Sequence, residues 1–305
     1  MTLRALYEVP APAKLNLFLH VVGQRADGYH LLQSVFVLLD WCDTLHFEHR
    51  SDGRLQRHDL GEAMPADDLC LRAARALQQA SGTAHGADIS LAKLVPWGAG
   101  LGGGSSDAAS TLLALNRLWG LHWSSERLQQ LALPLGADLP FFLGGHNAFV
   151  EGIGEQLISL PLPTMRFAVV KPQAAISTPS IFRSPMLRRD SEAVIVAGFL
   201  ADTQLQHRLA TGFGRNDLQP PAEDLCPEVT QVARWLEARF GNSRMSGSGS
   251  AVFARVFSTE FLKLGTGDQP GATEDDKHLA RDLPPHWVGR MCRSLDHHPL
   301  VGWAD

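Results

Sequence analysis

Pro96-Trp97-Gly98-Ala99-Gly100-Leu101-Gly102-Gly103-Gly104-Ser105-Ser106-Asp107 is the stretch on which the reading of this chain turns. Five of its glycines fall within seven residues. A backbone so free of Cβ atoms can curl with its N–H groups inward and come close to a ligand. Directly afterwards, residues 108–119 place Ala108, Leu112, Leu115 and Trp119 at helical spacing, which predicts a helix with one buried face. A glycine loop that opens a helix is an anion site. The N–H groups of the first turn have no intrahelical partners, and the positive end of the helix dipole lies there. The stretch therefore predicts a phosphate-handling protein.

Several phosphate loops are built from glycine. Gly98, Gly100 and Gly103 match G-x-G-x-x-G, the dinucleotide pattern. However, Pro96-Trp97 separates the loop from the strand predicted over 87–95, and no acidic residue ends a strand about 20 residues further on to hold a ribose. A Walker A loop would end in Gly-Lys-Ser/Thr, whereas Gly104-Ser105-Ser106 has no lysine. The catalytic-loop and Asp-Phe-Gly signatures of protein kinases are absent. A plain surface turn capping a core helix is the bland alternative. The number of glycines, with Ser105, Ser106 and Asp107 at the helix start, argues against it.

Around the loop the chain reads as mixed α and β. Residues 14–22 alternate as a strand, with Leu15, Leu17, Leu19 and Val21 on one face and Lys14 and Asn16 together on the other. A strand over 34–39, a helix over 67–80 and a helix over 126–133 capped by Ser124 or Ser125 complete the first half. A break at Gly152-Ile153-Gly154 divides residues 1–154 from 155–305. The second half is predicted to hold a strand over 167–170, helices over 191–200 and 227–240, a glycine turn over 246–250 and a strand over 251–257. Residues 264–271 read as a polar, mobile loop.

Bulk properties narrow the function. At 305 residues with 45% hydrophobic and 19% charged residues, the chain suits two globular domains rather than a disordered one. A net charge of −5 offers no basic footprint for nucleic acid or an anionic membrane. Cys42, Cys70, Cys226 and Cys292 are scattered without disulfide or metal spacing, and no apolar run approaches a membrane span or a leader. A cytoplasmic protein without nucleic-acid or membrane partners is the expectation. His46 and His49 fall on a half-exposed strand and His297-His298 in an irregular tail, so no protein metal site is expected.

From pattern alone, Asp138 in Gly136-Ala137-Asp138-Leu139-Pro140 is either a reacting carboxylate or a turn carboxylate. Tyr29 is one of only two tyrosines and sits in a glycine turn. Taken singly, Tyr29 and Phe182 each admit a core-packing reading, Lys93 that of a solvated strand-end lysine, and Ser105 or Ser106 that of a helix cap.

Together these segments resemble the GHMP kinases. Residues 96–109 resemble their phosphate loop. Pro12-Ala13-Lys14-Leu15-Asn16 resembles their first motif, and Ser243-Arg244-Met245-Ser246-Gly247-Ser248-Gly249-Ser250-Ala251 their third. Three further segments resemble the branch whose acceptor carries a cytidine diphosphate group: residues 23–30, 135–142 and 178–182. The resemblance implies an α+β fold with a ribosomal-S5-like N-terminal domain and a ferredoxin-like C-terminal domain, the active site lying in the cleft between them. It also implies ATP as donor, accompanied by Mg²⁺. The implied reaction phosphorylates the 2-hydroxyl of 4-diphosphocytidyl-2-C-methyl-D-erythritol in non-mevalonate isoprenoid synthesis. Lys14 and Asp138 would be the catalytic pair. Lys93 and the loop from Pro96 through Trp97, Gly98, Ala99, Gly100, Leu101, Gly102, Gly103 and Gly104 to Ser105 and Ser106 would hold the nucleotide. Asn16, Tyr29, His30, Thr178 and Phe182 would hold the acceptor, Tyr29 and Phe182 by stacking on its base and His30 by contacting the edge of that base. Two features depart from the family: Asp67-Asp68-Leu69 stands where relatives carry Asp-Asn-Leu, and the segments 265–277 and 296–305 do not fit its pattern.

Overall fold

The computed structural model describes residues 3–202, 204–257, 279 and 281–304; the loop expected over 264–271 lies outside the described residues. The first sheet contains β1 (Ala5–Gln24), β2 (His30–Arg50), β3 (Leu55–Asp59), β4 (Gly86–Ala92), β5 (Ala148–Glu151) and β6 (Gln156–Ser159). Its order is β3-β4-β2-β5-β6, with β1 paired to β2. Only β3 and β4 run parallel among these pairs. The second sheet is antiparallel, in the order β10-β7-β9-β8, and contains β7 (Arg166–Lys171), β8 (Arg244–Met245), β9 (Val252–Arg255) and β10 (Val288–Arg293).

Strand alternation stacks these sheets in layers, because successive side chains leave opposite faces. Phe36, Leu38, Leu45 and Phe47 of β2 pack on one side against helices α1 (Leu69–Ser81), α2 (Gly103–Leu118), α3 (Ser125–Ala132) and α4 (Leu139–Gly144). Val35, Val37 and Leu39 point the other way and meet Phe167, Val169 and Phe253 of the second sheet. The far face of that sheet, with Ala168, Val170 and Val252, is covered by α9 (Pro227–Phe240) through Val229, Val232 and Leu236. Short helices α5 (Thr178–Arg183), α6 (Val196–Ala201), α7 (Leu205–Thr211) and α8 (Gln219–Leu225) fill the connections. The tail returns to the first half: Asn147 Nδ2 donates to Leu295 O (2.8 Å), and Leu300 and Ala304 enter the first core. Among the described residues no helix is long and apolar enough to cross a membrane.

Several elements differ from their sequence reading. β1 begins at Ala5 rather than near Lys14. Pro10 and Pro12 mimic a strand end, but among the described residues β2 is the one strand that β1 pairs with, an isolated bridge from Leu19 to Asn216 aside, and an edge strand tolerates proline. Register shifts between Pro12 and Lys14 and between Asn16 and Leu19 also redistribute its faces. Leu15 and Leu17 enter the layer between the sheets, whereas Leu19 and Val21 join the core under α9. Residues 191–195, expected to be helical, lie outside any helix because distant groups claim their backbone. Ser191 N–H donates to Val21 O (3.0 Å), and Val194 is held on both its N–H and its carbonyl by Gln33 (2.7 and 3.0 Å). Asp68, by contrast, has a local duty: it caps α1 by accepting the Leu71 N–H at 3.1 Å.

Candidate active site

The glycine loop is fixed by two segments remote in sequence. Lys14 N–H of β1 donates to Leu101 O (2.9 Å). From the turn after β8, the Ser246 hydroxyl donates to Gly100 O (3.0 Å), and Ala251 N–H donates to Ala99 O (3.0 Å). The approach explains the residue type: a Cβ on Gly100 would stand 2.1 Å from Ser246 O, and its φ of +72° is a conformation that glycine adopts without strain. Pro96, Trp97 and Gly98 stay on the outer side of the loop, while Ala99 and Leu101 plug into the layer between the sheets.

The helix that follows starts earlier than expected. α2 opens at Gly103, not after Asp107, and Gly102 caps it in the left-handed conformation without a side-chain bond. Glycine in a first turn costs about 1 kcal/mol per residue relative to alanine, which hid the start from a periodicity reading. Gly103 is also closely packed: a Cβ there would lie 3.0 Å from Lys93 Nζ and 3.1 Å from Val95 Cγ1, so those side chains would have to give way by a few tenths of an ångström. The first intrahelical bond runs from Ser106 N–H to Gly102 O (2.9 Å), so the amides of Gly103, Gly104 and Ser105 head the helix.

A cleft of about 980 Å³ opens beside the loop and the start of α2, where Gly100, Gly102 and Ser105 line it and Gly103 and Gly104 do not, with residues from both halves of the chain in its walls. Lys14, Asn16, Asp138, Gly100, Gly102 and Ser105 line one part; Tyr29, His30, Thr178 and Phe182 line another. Lys14 and Asn16 do share a face: the buried ammonium donates to Asn16 Oδ1, stands 4.5 Å from the Phe36 ring centroid and 3.8 Å from Asp138 Oδ2. Burial lowers the Lys14 pKa, and Asp138 only partly offsets it. Asn16 is itself clamped, donating from Nδ2 to Ser34 Oγ (3.0 Å) and from its backbone to Ser246 Oγ (3.2 Å). Asp138 precedes α4 but makes no capping hydrogen bond, and its side chain is 32% exposed toward the cleft. The carboxylate is therefore available to a ligand.

The second wall is aromatic. His30 stacks on Phe182 with centroids 4.9 Å apart and planes 25° from parallel, while Tyr29 is exposed at the rim. One face of Phe182 is thus already covered by His30, so the pair forms one platform where the sequence suggested separate contacts. The Thr178 and Ser248 hydroxyls are 2.8 Å apart and join α5 to the glycine turn after β8. Local spacing gave no sign of Phe36, Ser34 or Arg189; the last donates to the His30 ring from 159 residues away.

Lys93 is not brought to the cleft wall. Its ammonium lies behind the loop, 2.5 Å from both Asp43 Oδ2 and Asp107 Oδ2. Burial opposes its charge, but Asp107 and Asp43 together raise its pKa. Of the two hydroxyls offered for Mg²⁺, Ser105 faces the cleft, whereas Ser106 Oγ is buried with no hydrogen-bond partner among the described residues. Among the described residues no cluster of three His, Cys, Asp or Glu is placed to hold a metal by itself.

Residues 68–146 match the family model of the GHMP kinases N terminal domain, and residues 196–260 that of the GHMP kinases C terminal. A 4-diphosphocytidyl-2-C-methyl-D-erythritol kinase from Methylibium petroleiphilum is 61% identical over 304 residues, covering 100% of both chains. One from Polaromonas naphthalenivorans is 54% identical, over 99% of this chain and 97% of its own. A solved structure, a 4-(cytidine 5'-diphospho)-2C-methyl-D-erythritol kinase, superposes with a TM-score of 0.74 at 34% identity, covering 93% of this chain and 98% of its own. Homoserine kinase from Cytophaga hutchinsonii, at 16% identity and a TM-score of 0.65, shares the α+β fold.

Proposed function

The chain belongs to the GHMP kinases, in the group of the 4-diphosphocytidyl-2-C-methyl-D-erythritol kinases, and on that premise we propose that it moves the γ-phosphoryl group of ATP to the 2-hydroxyl of 4-diphosphocytidyl-2-C-methyl-D-erythritol. The products are the 2-phosphate and ADP, in the non-mevalonate route to isoprenoid precursors. The observation that carries this reading is the Lys14–Asp138 pair, 3.8 Å apart in a cleft that also receives the head of α2.

Phosphoryl transfer depends mainly on positioning and on charge stabilisation. The amides of Gly103, Gly104 and Ser105 and the dipole of α2 favour the polyphosphate. As the acceptor oxygen bonds to the γ-phosphorus and the bond to the ADP oxygen breaks, Asp138 takes the hydroxyl proton and passes it to solvent. Lys14, poorly compensated in its buried position, holds Asp138 and the transferring group in register. Mg²⁺ belongs to the same proposal. Ser105 would give it a side-chain oxygen beside those of the phosphates, and the ion would neutralise charge on them. Residues 1–154 supply the loop and the Lys14–Asp138 pair. Residues 155–305 supply Thr178 and Phe182, and the Tyr29, His30 and Phe182 aromatics hold the base of the acceptor. A cytoplasmic site of action suits the four free cysteines.

A coupled ADP-release assay tests reaction and acceptor together. Expected is turnover with 4-diphosphocytidyl-2-C-methyl-D-erythritol and none with homoserine or mevalonate. Release with either of the latter and not with the cytidine compound would overturn the proposal.

A further inference from the structure

We infer that Arg189 is a positioning residue that presets His30 as a neutral hydrogen-bond donor toward the acceptor; the inference rests on the acceptor reading just given. Arg189 and its neighbour Arg188 look alike in sequence but differ in surroundings. Arg188 is exposed and pairs with Asp190 (3.3 Å). Arg189 is half-buried, and its guanidinium is spent on fixed acceptors: Nη1 donates to Leu187 O (3.0 Å), and Nη2 to Phe182 O (2.8 Å) and Ser184 O (3.2 Å). Of the two donors that these bonds leave, Nε–H meets His30 Nε2 at 3.2 Å.

A guanidinium has donors and no acceptor. His30 Nε2 must therefore accept, and the single proton of the neutral ring sits on Nδ1. Protonating the ring would set one N–H against another and one positive charge beside another. Burial first, and Arg189 second, push the His30 pKa below that of an ordinary histidine. The other charged side chains on the elements around the ring are Arg183 on α5 and the Arg25–Asp27 pair (2.6 Å) in the turn leading into β2. Arg189 grips the Phe182 carbonyl as well as the ring that stacks on Phe182, so one group references both halves of the aromatic platform. The side chain that His30 presents is donor-only. This suits a base whose edge carries adjacent acceptors, as O2 and N3 of cytosine do. Lysine could not serve in place of Arg189, having no planar fork to span three carbonyls and a ring at once.

Two-bond ¹H–¹⁵N correlation spectra of the full chain, with His30 identified through a His30→Gln variant, read the tautomer directly. At a pH of about 6.5, where an ordinary histidine is half protonated, Nδ1 should carry the proton and Nε2 none. In Arg189→Met that signature should be lost. KM for the cytidine acceptor should rise about tenfold, the scale of one hydrogen bond, with kcat and the KM for ATP within about twofold. A proton on Nε2 in the unmodified protein overturns the inference, whether or not the variant folds. So does an unchanged acceptor KM in the variant, or an equal rise in both KM values. Failure of the acceptor reading shows itself separately, as absence of ADP release from the unmodified protein.

Discussion

Replacing Lys93 by methionine asks whether that lysine binds nucleotide or holds the loop. Its ammonium sits 2.5 Å from one oxygen of Asp43 and 2.5 Å from one of Asp107, with 10% of the side chain exposed. The other Asp43 oxygen accepts the N–H groups of Leu94 (2.5 Å) and Val95 (2.7 Å), so this carboxylate anchors the entry to the glycine loop. Methionine keeps the length of the side chain and removes its charge. Two buried carboxylates are then left facing each other without a cation. Breaking a buried pair in this way costs about 3–5 kcal/mol, which corresponds to a fall in Tm on the order of 10 °C for a chain of this size.

The pH dependence has a definite sign. Burial raises the Asp107 pKa well above the ordinary carboxylate value; Lys93 opposes the rise and Asp43 adds to it. A carboxyl raised in the folded state binds more protons there than when unfolded. Its contribution to stability is therefore lost as pH climbs from the ordinary value through the raised one. Without the ammonium that raised value moves higher still, so the Tm deficit of Lys93→Met should widen as pH climbs from the ordinary carboxylate range through neutrality. Thermal unfolding of both proteins across that range, with the KM for ATP measured well below either transition, reads the effect. A Tm within about 2 °C of the parent together with a tenfold or larger rise in the ATP KM would refute the reasoning and make Lys93 a nucleotide contact.

Asp138→Asn should lower kcat about 10²–10⁴-fold; the carboxylate caps nothing, but it is the counter-charge of the buried Lys14 ammonium, so Tm should fall as well, and turnover within about threefold of the parent would exclude it as the base. Tyr29→Ala should raise the acceptor KM about tenfold or more, the scale of base stacking, and spare both the ATP KM and Tm, since that ring is 59% exposed. Phe182→Ala should match it kinetically and also lower Tm, because Phe182 packs against the core under α9 as well as on His30; equal shifts in both KM values would count against the platform. Gly100→Ala should cost folding yield and turnover together, as its Cβ would fall 2.1 Å from Ser246 O; a soluble variant of parental activity would show that the two loops need not touch.

What the sequence revealed here was what local spacing encodes. Alternation put Lys14 and Asn16 on one face, and they meet in one cleft. The helix read over 227–240 matches α9 to the residue, and those read over 67–80 and, with its serine cap, over 126–133 match α1 and α3 to within two residues at either end. Spacing is silent where the partner lies far along the chain. Gln33 holds Val194 from 161 residues away and keeps residues 191–195 out of a helix. Asp43 claims Lys93 from 50 residues away, and nothing near Lys93 signals it. Arg189 shows the same limit. Its neighbour Arg188 has the same side chain, and only the fold of the segment after α5 sends one outward and the other into the cleft wall. The short helices α5, α7 and α8 escaped notice for another reason: six or seven residues make too few turns to display a period, whereas α6 overlaps the helix read over 191–200.

Lys14 and Lys93 are both buried lysines close to the same glycine loop, yet their pKa values move in opposite directions. Two carboxylates at 2.5 Å satisfy Lys93, and its charge has no need of a further partner. Lys14 has a neutral amide, a ring face and one carboxylate at 3.8 Å, so its burial is only partly compensated. An under-compensated cation in a cleft is held ready for an anion that arrives later, because the missing interaction is recovered only when that anion binds. Exchanging the surroundings of the two lysines would reverse their roles. The distinction between the lysine that builds the loop and the lysine proposed to meet the ligand thus lies in how much opposing charge the fold has already given each one.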